Sequence, residues 1–371
     1  MDKKIKVLHF PIRNTNGGVT RSAMKYWQFI DKSKFQFDFA TCGPKIEFED
    51  MITSTGSKVH YISCYAEKNP EQFYNEMKNI LKLGEYDAVH LNTNWWRGTL
   101  AEQAAKEVGT KSIVVHARNS SVDINDEAQR RIELLNHERC KREFDPNLAT
   151  HYMACSKAAA DFLFGPQIDR KKIIIFHNAL DISRYSYAPQ KRKVMREKLG
   201  LEGKYVIGNV GRFAYQKNHQ FLLDCFYEVT KQASRAILML IGGGELEKEI
   251  REQAFKYKID DKVMFVGETD NVEMYLQAMD IFAFPTRFEG LGNVLIEAQT
   301  AGLKCITSTN VPEETHITEN IVYLPLEMSE WVGEIMRYEK GYLRENVDEQ
   351  IRMAGYDIRE EIKVLERVYM E

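Results

Sequence analysis

The stretch that decides the fold runs from Asp280 to Ala298 and reads DIFAFPTRFEGLGNVLIEA. It begins with a short apolar run, which favours a buried strand of a parallel sheet. After Gly292 the apolar residues recur with helical spacing, so a helix is expected to start there. Glu289 is therefore predicted to lie on the strand-to-helix loop, and Glu297 about one turn into the helix.

The spacing of these two glutamates limits what they can do. If the whole stretch were helical, their carboxylates would lie about 80° apart around the axis and about 12 Å apart along it. A pair that acts on one bond, as in retaining glycosidases, needs about 5 Å. Glu289 and Glu297 are therefore predicted to bind different parts of one ligand. An ordinary helix start with solvated acids is the alternative for this motif taken alone.

Glycines in the same loop add an anion site to this prediction. Gly290 and Gly292 carry no Cβ, so backbone N–H groups at the helix start can approach an anion closely, and the helix dipole favours a phosphate there. A carboxylate beside the loop suits sugar hydroxyls rather than phosphate. The pattern indicates a nucleotide sugar, with its phosphates on the loop and its hydroxyls on the glutamates.

A second motif follows the predicted strand 206–210, where the chain reads Gly211-Arg212-Phe213-Ala214-Tyr215-Gln216-Lys217-Asn218. Arg212 and Lys217 are five positions apart on a strand-to-helix loop, so they can converge on one diphosphate. Each charge-assisted hydrogen bond would contribute about 1.5–3 kcal/mol. Two solvated surface cations are the alternative, and the acidic loop at Glu289 makes the diphosphate reading more specific.

Length and composition allow a two-domain soluble enzyme. The chain has 371 residues, of which 44% are hydrophobic and 28% charged. Its six cysteines show no C-x-x-C spacing, which predicts a reduced cytoplasmic setting and no metal cluster. The basic and then apolar N-terminus is too short for a signal peptide and is predicted to be a first strand, and no run approaches the roughly 18 apolar residues of a membrane span.

The net charge of -3 conceals an uneven distribution. Residues 1–185 contain 27 Lys and Arg against 23 Asp and Glu, and the remainder contains 24 against 31. A basic first half suits an anionic acceptor or a membrane surface. The basic residues are dispersed and accompany no nucleic-acid-binding motif, so nucleic acid is not expected as a partner.

Apolar β-rich runs alternate with amphipathic stretches along the whole chain, which predicts an α/β fold with two doubly wound parallel sheets. We place the domains at 1–187 and 188–351, with a C-terminal helix of about 352–371 that packs back on the first domain. The predicted strands are 5–10, 35–41, 59–63, 88–92, 113–117, 151–156, 173–176, 206–210, 237–242, 263–267, 281–285, 305–308 and 321–324.

In open α/β sheets ligands bind beyond the carboxyl ends of the strands, so functional residues are expected on the loops there. Gly17 and Gly18 lie on a glycine loop after the first strand, which is a weak signal alone. Another glycine loop, Gly242-Gly243-Gly244, lacks the G-x-G-x-x-G spacing of a dinucleotide fold. NAD is therefore not expected as a cofactor.

Together these motifs resemble the family 4 glycosyltransferases, whose fold, called GT-B, consists of two Rossmann-like domains facing across a cleft. The resemblance covers essentially the whole chain and extends to enzymes of capsular polysaccharide and exopolysaccharide biosynthesis. The segments that carry it are the Gly17-Gly18 loop, His116, Asn178-Ala179-Leu180-Asp181, Gly211-Arg212 with Lys217, and Glu289-x7-Glu297.

The resemblance implies a role for each matching position. Arg212 and Lys217 would bind the donor diphosphate and stabilise the charge that grows as the leaving group departs. Glu289 would contact the transferred sugar, and Glu297 the donor ribose. His116 would lie near the sugar and the acceptor. The remaining donor contacts would come from the backbone of Gly17, Gly18, Gly290, Leu291, Gly292 and Asn293.

The acceptor side is the least defined part of the prediction. Arg118 would meet an anionic acceptor, and Trp95 and Trp96 would stack on a sugar ring, although packing under a loop is an equally good reading for the two tryptophans. A predicted basic helix that contains Ile132 and Leu135 would either touch anionic lipid or form a solvated face, and the solvated face is the better supported of these two readings.

The overall prediction is a cytoplasmic retaining glycosyltransferase, at most peripheral at the inner face of a membrane. It would move a hexose from a nucleoside diphosphate, with UDP favoured, to a glycan or lipid-linked acceptor, without a metal or other cofactor. Two alternatives stay open: a nucleotide-sugar epimerase of the same architecture, and a non-catalytic sugar-nucleotide-binding partner of another transferase.

Overall fold

The computed structural model describes residues 3–13 and 18–371, and the chain divides there into two compact units. The N-terminal unit comprises the residues up to Val122 together with Glu127–Asn178 and Ile358–Glu371. The C-terminal unit comprises Asp123–Asp126 and Ala179–Asp357. The main segment of the C-terminal unit therefore begins at Ala179, before the boundary predicted after residue 187, and ends at Asp357, after the boundary predicted at residue 351.

The N-terminal unit is built on a parallel sheet of seven strands in the order β3-β2-β1-β4-β5-β6-β7. The strands are β1 (Ile5–Phe10), β2 (Phe35–Thr41), β3 (Val59–Tyr61), β4 (Ala88–Thr93), β5 (Ser112–Ala117), β6 (His151–Ala154) and β7 (Ile173–Ile175). The helices are α1 (Gly18–Phe29), α2 (Glu49–Thr53), α3 (Pro70–Gly84), α4 (Leu100–Glu107), α5 (Glu127–Glu143), α6 (Lys157–Leu163) and α15 (Ile358–Met370).

Burial along these strands follows their position in the sheet. The interior strand β5 is buried at every residue, because helices cover both faces of a parallel sheet and leave no solvated side. The edge strands β3 and β7 have three residues each, and none of those residues is fully buried. Short edges leave few unpaired backbone groups for pairing with another chain.

The C-terminal unit has a parallel sheet of six strands in the order β10-β9-β8-β11-β12-β13. The strands are β8 (Tyr205–Val210), β9 (Ala236–Ile241), β10 (Val263–Gly267), β11 (Ile281–Phe284), β12 (Lys304–Ser308) and β13 (Ile321–Leu324). The helices are α7 (Ile182–Tyr185), α8 (Pro189–Leu199), α9 (His219–Thr230), α10 (Glu247–Lys256), α11 (Val272–Ala278), α12 (Asn293–Thr300), α13 (Met328–Arg337) and α14 (Asp348–Met353).

Each face of this second sheet carries its own hydrophobic core, and β8 shows how the sequence divides between them. Tyr205 and Ile207 belong to the cluster that includes α9 and α13, whereas Val206 and Val210 belong to the cluster that includes α11 and α12. Successive side chains of a strand point to opposite faces, so one apolar strand supplies both cores.

The C-terminal helix α15 belongs to the N-terminal unit. Its buried residues recur with helical spacing and include Ile358, Ile362, Leu365 and Tyr369. It packs against α1, β1 and β5. Burial of this apolar stripe anchors α15, because an amphipathic helix gains most of its stability from packing its apolar face.

The strand order reverses between β1 and β4 in the first sheet and between β8 and β11 in the second. Ligands of open α/β sheets bind beyond the carboxyl ends of the strands at such points. The loops after β8 and β11 carry Arg212, Lys217 and Glu289, so the topology brings those loops to neighbouring positions. Among the described residues no helix is long and apolar enough to cross a membrane.

Candidate functional site

The two charged motifs of the C-terminal unit meet at Lys217 and Glu289. The Nζ atom of Lys217 lies 2.6 Å from Oε1 of Glu289, and the side chains are 18% and 7% exposed. The hydroxyl of the buried Thr286 lies 2.8 Å from the same carboxylate oxygen. Glu289 is therefore held on its loop by an ammonium group and a hydroxyl.

The loop after β8 explains how Lys217 reaches this position. Tyr215–Lys217 forms a short 3-10 turn, and Asn218 adopts a left-handed conformation with φ of 56° before α9 begins. The stem of Lys217 crosses the backbone of Gly211, where a Cβ would lie 3.2 Å from Lys217 Cγ. The Lys217 ammonium also lies over the Phe284 ring, 4.9 Å from its centroid. Gly211 thus leaves room for the lysine to lie along the loop.

Arg212 pairs with a different carboxylate. Its Nη2 atom donates to Oδ2 of Asp123, which belongs to the short segment that joins the C-terminal unit. The Arg212 side chain is 52% exposed, whereas that of Asp123 is 9% exposed. Each of the two predicted diphosphate cations is therefore paired with an acid, and Arg212 retains the larger solvent-facing surface.

The start of α12 is a compact turn. Gly292 has φ of 87°, a conformation that glycine adopts without strain, and α12 starts at the next residue, Asn293. Leu291 packs its side chain inside, with 2% exposure. Glu297 lies on the second turn of the helix and is 8% exposed. The two glutamates thus occupy a loop and a helix, as the sequence predicts.

The loop after β9 packs closely against the loop that carries Arg212. Gly242 and Gly244 have φ of 134° and 151°. A Cβ on Gly242 would lie 2.2 Å from the Gly211 oxygen, and one on Gly244 would lie 2.6 Å from the Phe213 oxygen. Phe213 N also donates to the Gly243 oxygen at 2.8 Å. These glycines therefore have a packing role that the sequence prediction did not assign to them.

Two further residues of this site, Arg287 and His219, stand in no motif that the sequence patterns would single out. Arg287 donates through Nη2 to Asn218 Oδ1 at 2.8 Å and lies over the Tyr215 ring, so it braces the turn that ends at Lys217. His219 is 3% exposed, and its burial, assisted by the nearby Lys217 charge, lowers its pKa to about 3. His219 is therefore a neutral core side chain.

In the N-terminal unit His116 is the end of a buried chain of imidazoles. His116 Nδ1 lies 3.0 Å from His90 Nε2, and His90 Nδ1 lies 2.8 Å from the Tyr369 hydroxyl. That hydroxyl lies 3.2 Å from His9 Nε2. At the His116 end of the chain, Arg118 Nη1 donates to His116 Nε2 at 3.1 Å. Tyr369 comes from α15, so the C-terminal helix completes this chain.

The partners determine where each proton lies. Arg118 can only donate, so His116 accepts at Nε2 and carries its proton on Nδ1, which donates to His90. His90 then donates from Nδ1 to Tyr369, and the tyrosine hydroxyl donates to His9. Burial, followed by the charges of neighbouring groups, lowers the pKa of His90 and His116 well below the usual range and that of His9 to about 3. The three imidazoles are therefore neutral.

This arrangement restricts the roles open to His116. The residue is fully buried, and both of its ring nitrogens already have hydrogen-bond partners. Its imidazole can act on a substrate proton only after the Arg118 contact breaks. Within the described chain no group of three His, Cys, Asp or Glu side chains is arranged to hold a metal ion.

The remaining predicted positions divide between core and surface. Trp96 is 1% exposed, donates to the Leu163 oxygen at 2.8 Å and stacks on Phe144, so it is a core residue. Trp95 is half-buried and hydrogen-bonds to Glu133. Trp95 is thus the less buried of these two tryptophans, and the Arg97 guanidinium lies 4.7 Å from its ring centroid, so its contact with a sugar ring stays a prediction.

The glycine loop after β1 carries two predicted donor-binding positions, Gly17 and Gly18. Gly18 is exposed at the start of α1, where a Cβ would meet no atom within 4 Å. The predicted contact at Gly17 lies outside the described residues. The described part of this loop therefore leaves open space at Gly18.

Comparison with known proteins gives consistent similarities. The sequence profile of the family described as glycosyl transferases group 1 matches residues 191–324. EpsF of Bacillus subtilis (strain 168), named as a glycosyltransferase, is 30% identical over 98% of this chain and 96% of its own length. The capsular polysaccharide biosynthesis glycosyltransferase CapH of Staphylococcus aureus is 25% identical over 85% of this chain and 84% of its own.

A solved structure extends the similarity to the fold. Anabaena Alr3699/HepE in complex with UDP-glucose matches this chain with a TM-score of 0.76 at 17% identity, over 98% of this chain and 99% of that one. The profile match at 191–324 contains Arg212, Lys217, Glu289 and Glu297. The contact between Lys217 and Glu289 therefore lies in the part of the chain that the profile recognises.

Proposed function

Since this chain belongs to the group 1 glycosyltransferases and has their two-sheet GT-B fold, we propose that it transfers a hexose from a nucleoside diphosphate to a glycan or lipid-linked acceptor, with retention of anomeric configuration. The observation that carries the proposal is the contact between Lys217 and Glu289 beside the start of α12. This contact supports the proposal because it brings a cation and a carboxylate together next to a helix N-terminus.

The donor diphosphate would be bound by Arg212 and Lys217. An ammonium group has three donors, so Lys217 can keep its hydrogen bond to Glu289 and still donate to a phosphate. Arg212 is half exposed and would exchange Asp123 for the diphosphate, which offers two oxygens to its planar fork. Backbone N–H groups from Gly290 to Asn293 would add the positive end of the α12 dipole.

These cations would also provide the catalysis. As a hydroxyl of the acceptor replaces the diphosphate at the anomeric carbon, negative charge grows on the leaving phosphate, and preorganised cations stabilise it. Glu289 would accept hydrogen bonds from the transferred sugar, and Glu297 from the ribose. The proposal includes no metal, because Arg212 and Lys217 supply the positive charge at the leaving group.

UDP is the proposed nucleotide and surface polysaccharide the proposed product class. The UDP-glucose complex of Alr3699/HepE supports the first choice, and the capsular polysaccharide name of CapH supports the second.

If the acceptor is lipid-linked, α5 is the surface proposed to touch the membrane. Its Ile132 and Leu135 are 52% and 69% exposed beside basic residues. Sedimentation with anionic vesicles, weakened by Ile132→Ser with Leu135→Ser, would test this contact.

Nucleotide binding and transfer test the proposal directly. A thermal-shift screen of nucleotides and nucleotide sugars should identify the donor, because a ligand at 100 times its dissociation constant stabilises the fold by about 2.7 kcal/mol. Lys217→Ala and Glu297→Gln should weaken nucleotide binding and transfer, and EDTA should leave transfer unchanged. Lys231→Ala, at an exposed lysine of the same unit, is the matched control.

The outcomes separate the alternatives. Wild-type nucleotide affinity and turnover in both Lys217→Ala and Glu297→Gln would contradict the proposal. Formation of an epimer from the nucleotide sugar alone would identify an epimerase. Nucleotide binding without turnover across a broad donor and acceptor panel would identify a non-catalytic protein. An inverted anomeric configuration in the product, read by NMR, would refute retention.

A further inference from the structure

Arg118 is a buried cation that forms no ion pair with any residue in the described part of the chain. Its side chain belongs to the buried residues of the N-terminal unit, at 9% exposure. Across residues 3–13 and 18–371, its guanidinium contacts the Tyr26 hydroxyl and the His116 ring, and no carboxylate oxygen lies within 4.0 Å of it. Charged groups are rarely buried unless they are paired, because water stabilises them far better than protein does. An uncompensated buried arginine therefore calls for an anion from outside the described chain.

The neighbours of Arg118 hold it in place without neutralising it. Nη1 donates to His116 Nε2 at 3.1 Å and lies 3.3 Å from the Tyr26 hydroxyl, which in turn donates to Asn178. All of these are neutral acceptors. These contacts do not offset the guanidinium charge, and the histidine chain that includes Tyr369 of α15 sets its orientation.

The other edge of the guanidinium is available. The hydrogen bonds of the Arg118 side chain to described residues all come from Nη1, so Nε and Nη2 donate to no acceptor there. Neither atom is among the described polar atoms that are both sealed from solvent and unpartnered. Two adjacent N–H donors of one planar group match the two oxygens of a carboxylate or a phosphate.

Asn92 supplies an independent observation at the same strand ends. It is paired in register with His116, and the backbone N of Arg118 donates to the next residue, Thr93, at 3.0 Å. The Asn92 side chain is 7% exposed, and among the described residues neither its Oδ1 nor its Nδ2 has a partner. A buried amide without partners is unfavourable, so it indicates a ligand that offers both a donor and an acceptor.

We propose that Arg118 and Asn92 form an anion site at the carboxyl ends of β4 and β5, which takes a phosphate or carboxylate group of the acceptor. Arg118 would bind two anionic oxygens, and the Asn92 amide would bind a third oxygen together with an adjacent hydroxyl. That the bound anion belongs to the acceptor rests on the proposed function. The anion site itself rests on the contacts of Arg118 and Asn92 alone. The acceptor class is thus a phosphate-bearing lipid or glycan, or an acidic sugar.

Binding of simple anions tests the site without any transfer assay. In the full chain labelled with 15N-histidine, titration with inorganic phosphate, pyrophosphate and acetate should move the His116 and His90 imidazole signals in a saturable way. Arg118→Gln should weaken this binding at least about tenfold, which corresponds to about 1.4 kcal/mol. Arg118→Lys should retain part of it, because the charge remains. Arg170→Gln, at an exposed arginine of the same unit, should leave it unchanged.

The titrations decide whether the anion site exists and which class of acceptor anion it binds. Tighter binding of pyrophosphate supports a phosphate-bearing acceptor, and tighter binding of acetate supports an acidic sugar. A response in wild type that persists in Arg118→Gln, or no saturable response in wild type, would overturn the site. A fold check by thermal unfolding accompanies each variant, and Asn92→Leu should keep or raise stability while weakening anion binding, because it removes an unpartnered amide.

Transfer kinetics then test the acceptor assignment. With matched acceptors that carry or lack the anionic group, Arg118→Gln should raise KM about tenfold or more for the charged acceptor only. The KM for the nucleotide sugar should not change. A loss of UDP affinity in Arg118→Gln, with acceptor KM unchanged, would assign the site to the donor and refute the inference. If no transfer occurs at all, the anion titration still decides whether the site exists.

Discussion

The ion pair between Lys217 and Glu289 allows a quantitative test of the site. Lys217→Met would remove the ammonium group from a Glu289 carboxylate that is 7% exposed and also accepts a hydrogen bond from the Thr286 hydroxyl. Breaking a buried ion pair by removing one partner destabilises a protein by about 3–5 kcal/mol. We expect about 3 kcal/mol, because Lys217 is 18% exposed and water can replace part of what the ammonium provides.

Glu289→Gln and the double variant complete a cycle that measures the coupling energy between Lys217 and Glu289. Glu289→Gln keeps an oxygen near the Thr286 hydroxyl and leaves an ammonium group that reaches water, so we expect a loss of about 1–2 kcal/mol. The double variant leaves no charge unpaired and should also lose about 1–2 kcal/mol. The coupling energy of the cycle is then about 3 kcal/mol, far from additive behaviour.

Amide hydrogen exchange in β8 and β11 is the appropriate measurement, since it reports the opening of the C-terminal unit separately from the rest of the chain. The exposed pair of Lys231 and Glu228 in the same unit is the control, and its cycle should show no measurable coupling. Additive losses for Lys217→Met and Glu289→Gln would refute the conclusion that the two side chains form a buried pair.

Three further predictions follow from other parts of the fold. Tyr369→Phe leaves the buried His90 Nδ1–H without an acceptor, so the N-terminal unit should lose about 1–3 kcal/mol, measurable by hydrogen exchange in β1 and β4. Burial raises the pKa of Glu102 to about 7, so between about pH 4.5 and 7 the unfolded chain releases a proton that the folded chain keeps, and the free energy of unfolding falls as the pH rises. Glu102→Gln should remove this fall, which urea unfolding at pH 5 and pH 8 would reveal. An unchanged pH dependence in the variant would contradict the prediction. Gly244→Ala would place a Cβ 2.6 Å from the Phe213 oxygen, so it should lower the unfolding temperature and weaken nucleotide binding, and a fully stable, fully binding variant would show that the loop yields freely.

Much of the fold follows from local patterns. The prediction of thirteen strands is confirmed, with residues 5–10, 35–41, 263–267 and 321–324 identical at both ends. The predicted GT-B fold and glycosyltransferase family are confirmed as well. Apolar runs between amphipathic stretches predict a doubly wound sheet reliably because both faces of each strand must be buried. The strand-to-helix positions of Glu289 and Glu297 follow from the same periodicity.

The sequence patterns did not predict which side chains contact one another. Nothing in the periodicity of residues 280–298 indicates that Glu289 contacts Lys217, or that Arg287 braces the turn before it. The glycines at 242 and 244 looked like an incomplete dinucleotide motif, and their close approach to the Arg212 loop depends on how two neighbouring strands end. The roles of the individual site residues in donor binding and transfer stay predictions.

The sequence by itself determined the order and type of the elements and the loops on which charged residues stand. Periodicity and glycine placement act over a few residues, so they can be read without knowing the rest of the chain. Only the tertiary structure decided which groups meet. Lys217 and Glu289 are 72 positions apart, and His90 and Tyr369 are 279 apart. Packing of whole sheets and of α15 creates such contacts, and no local pattern records them.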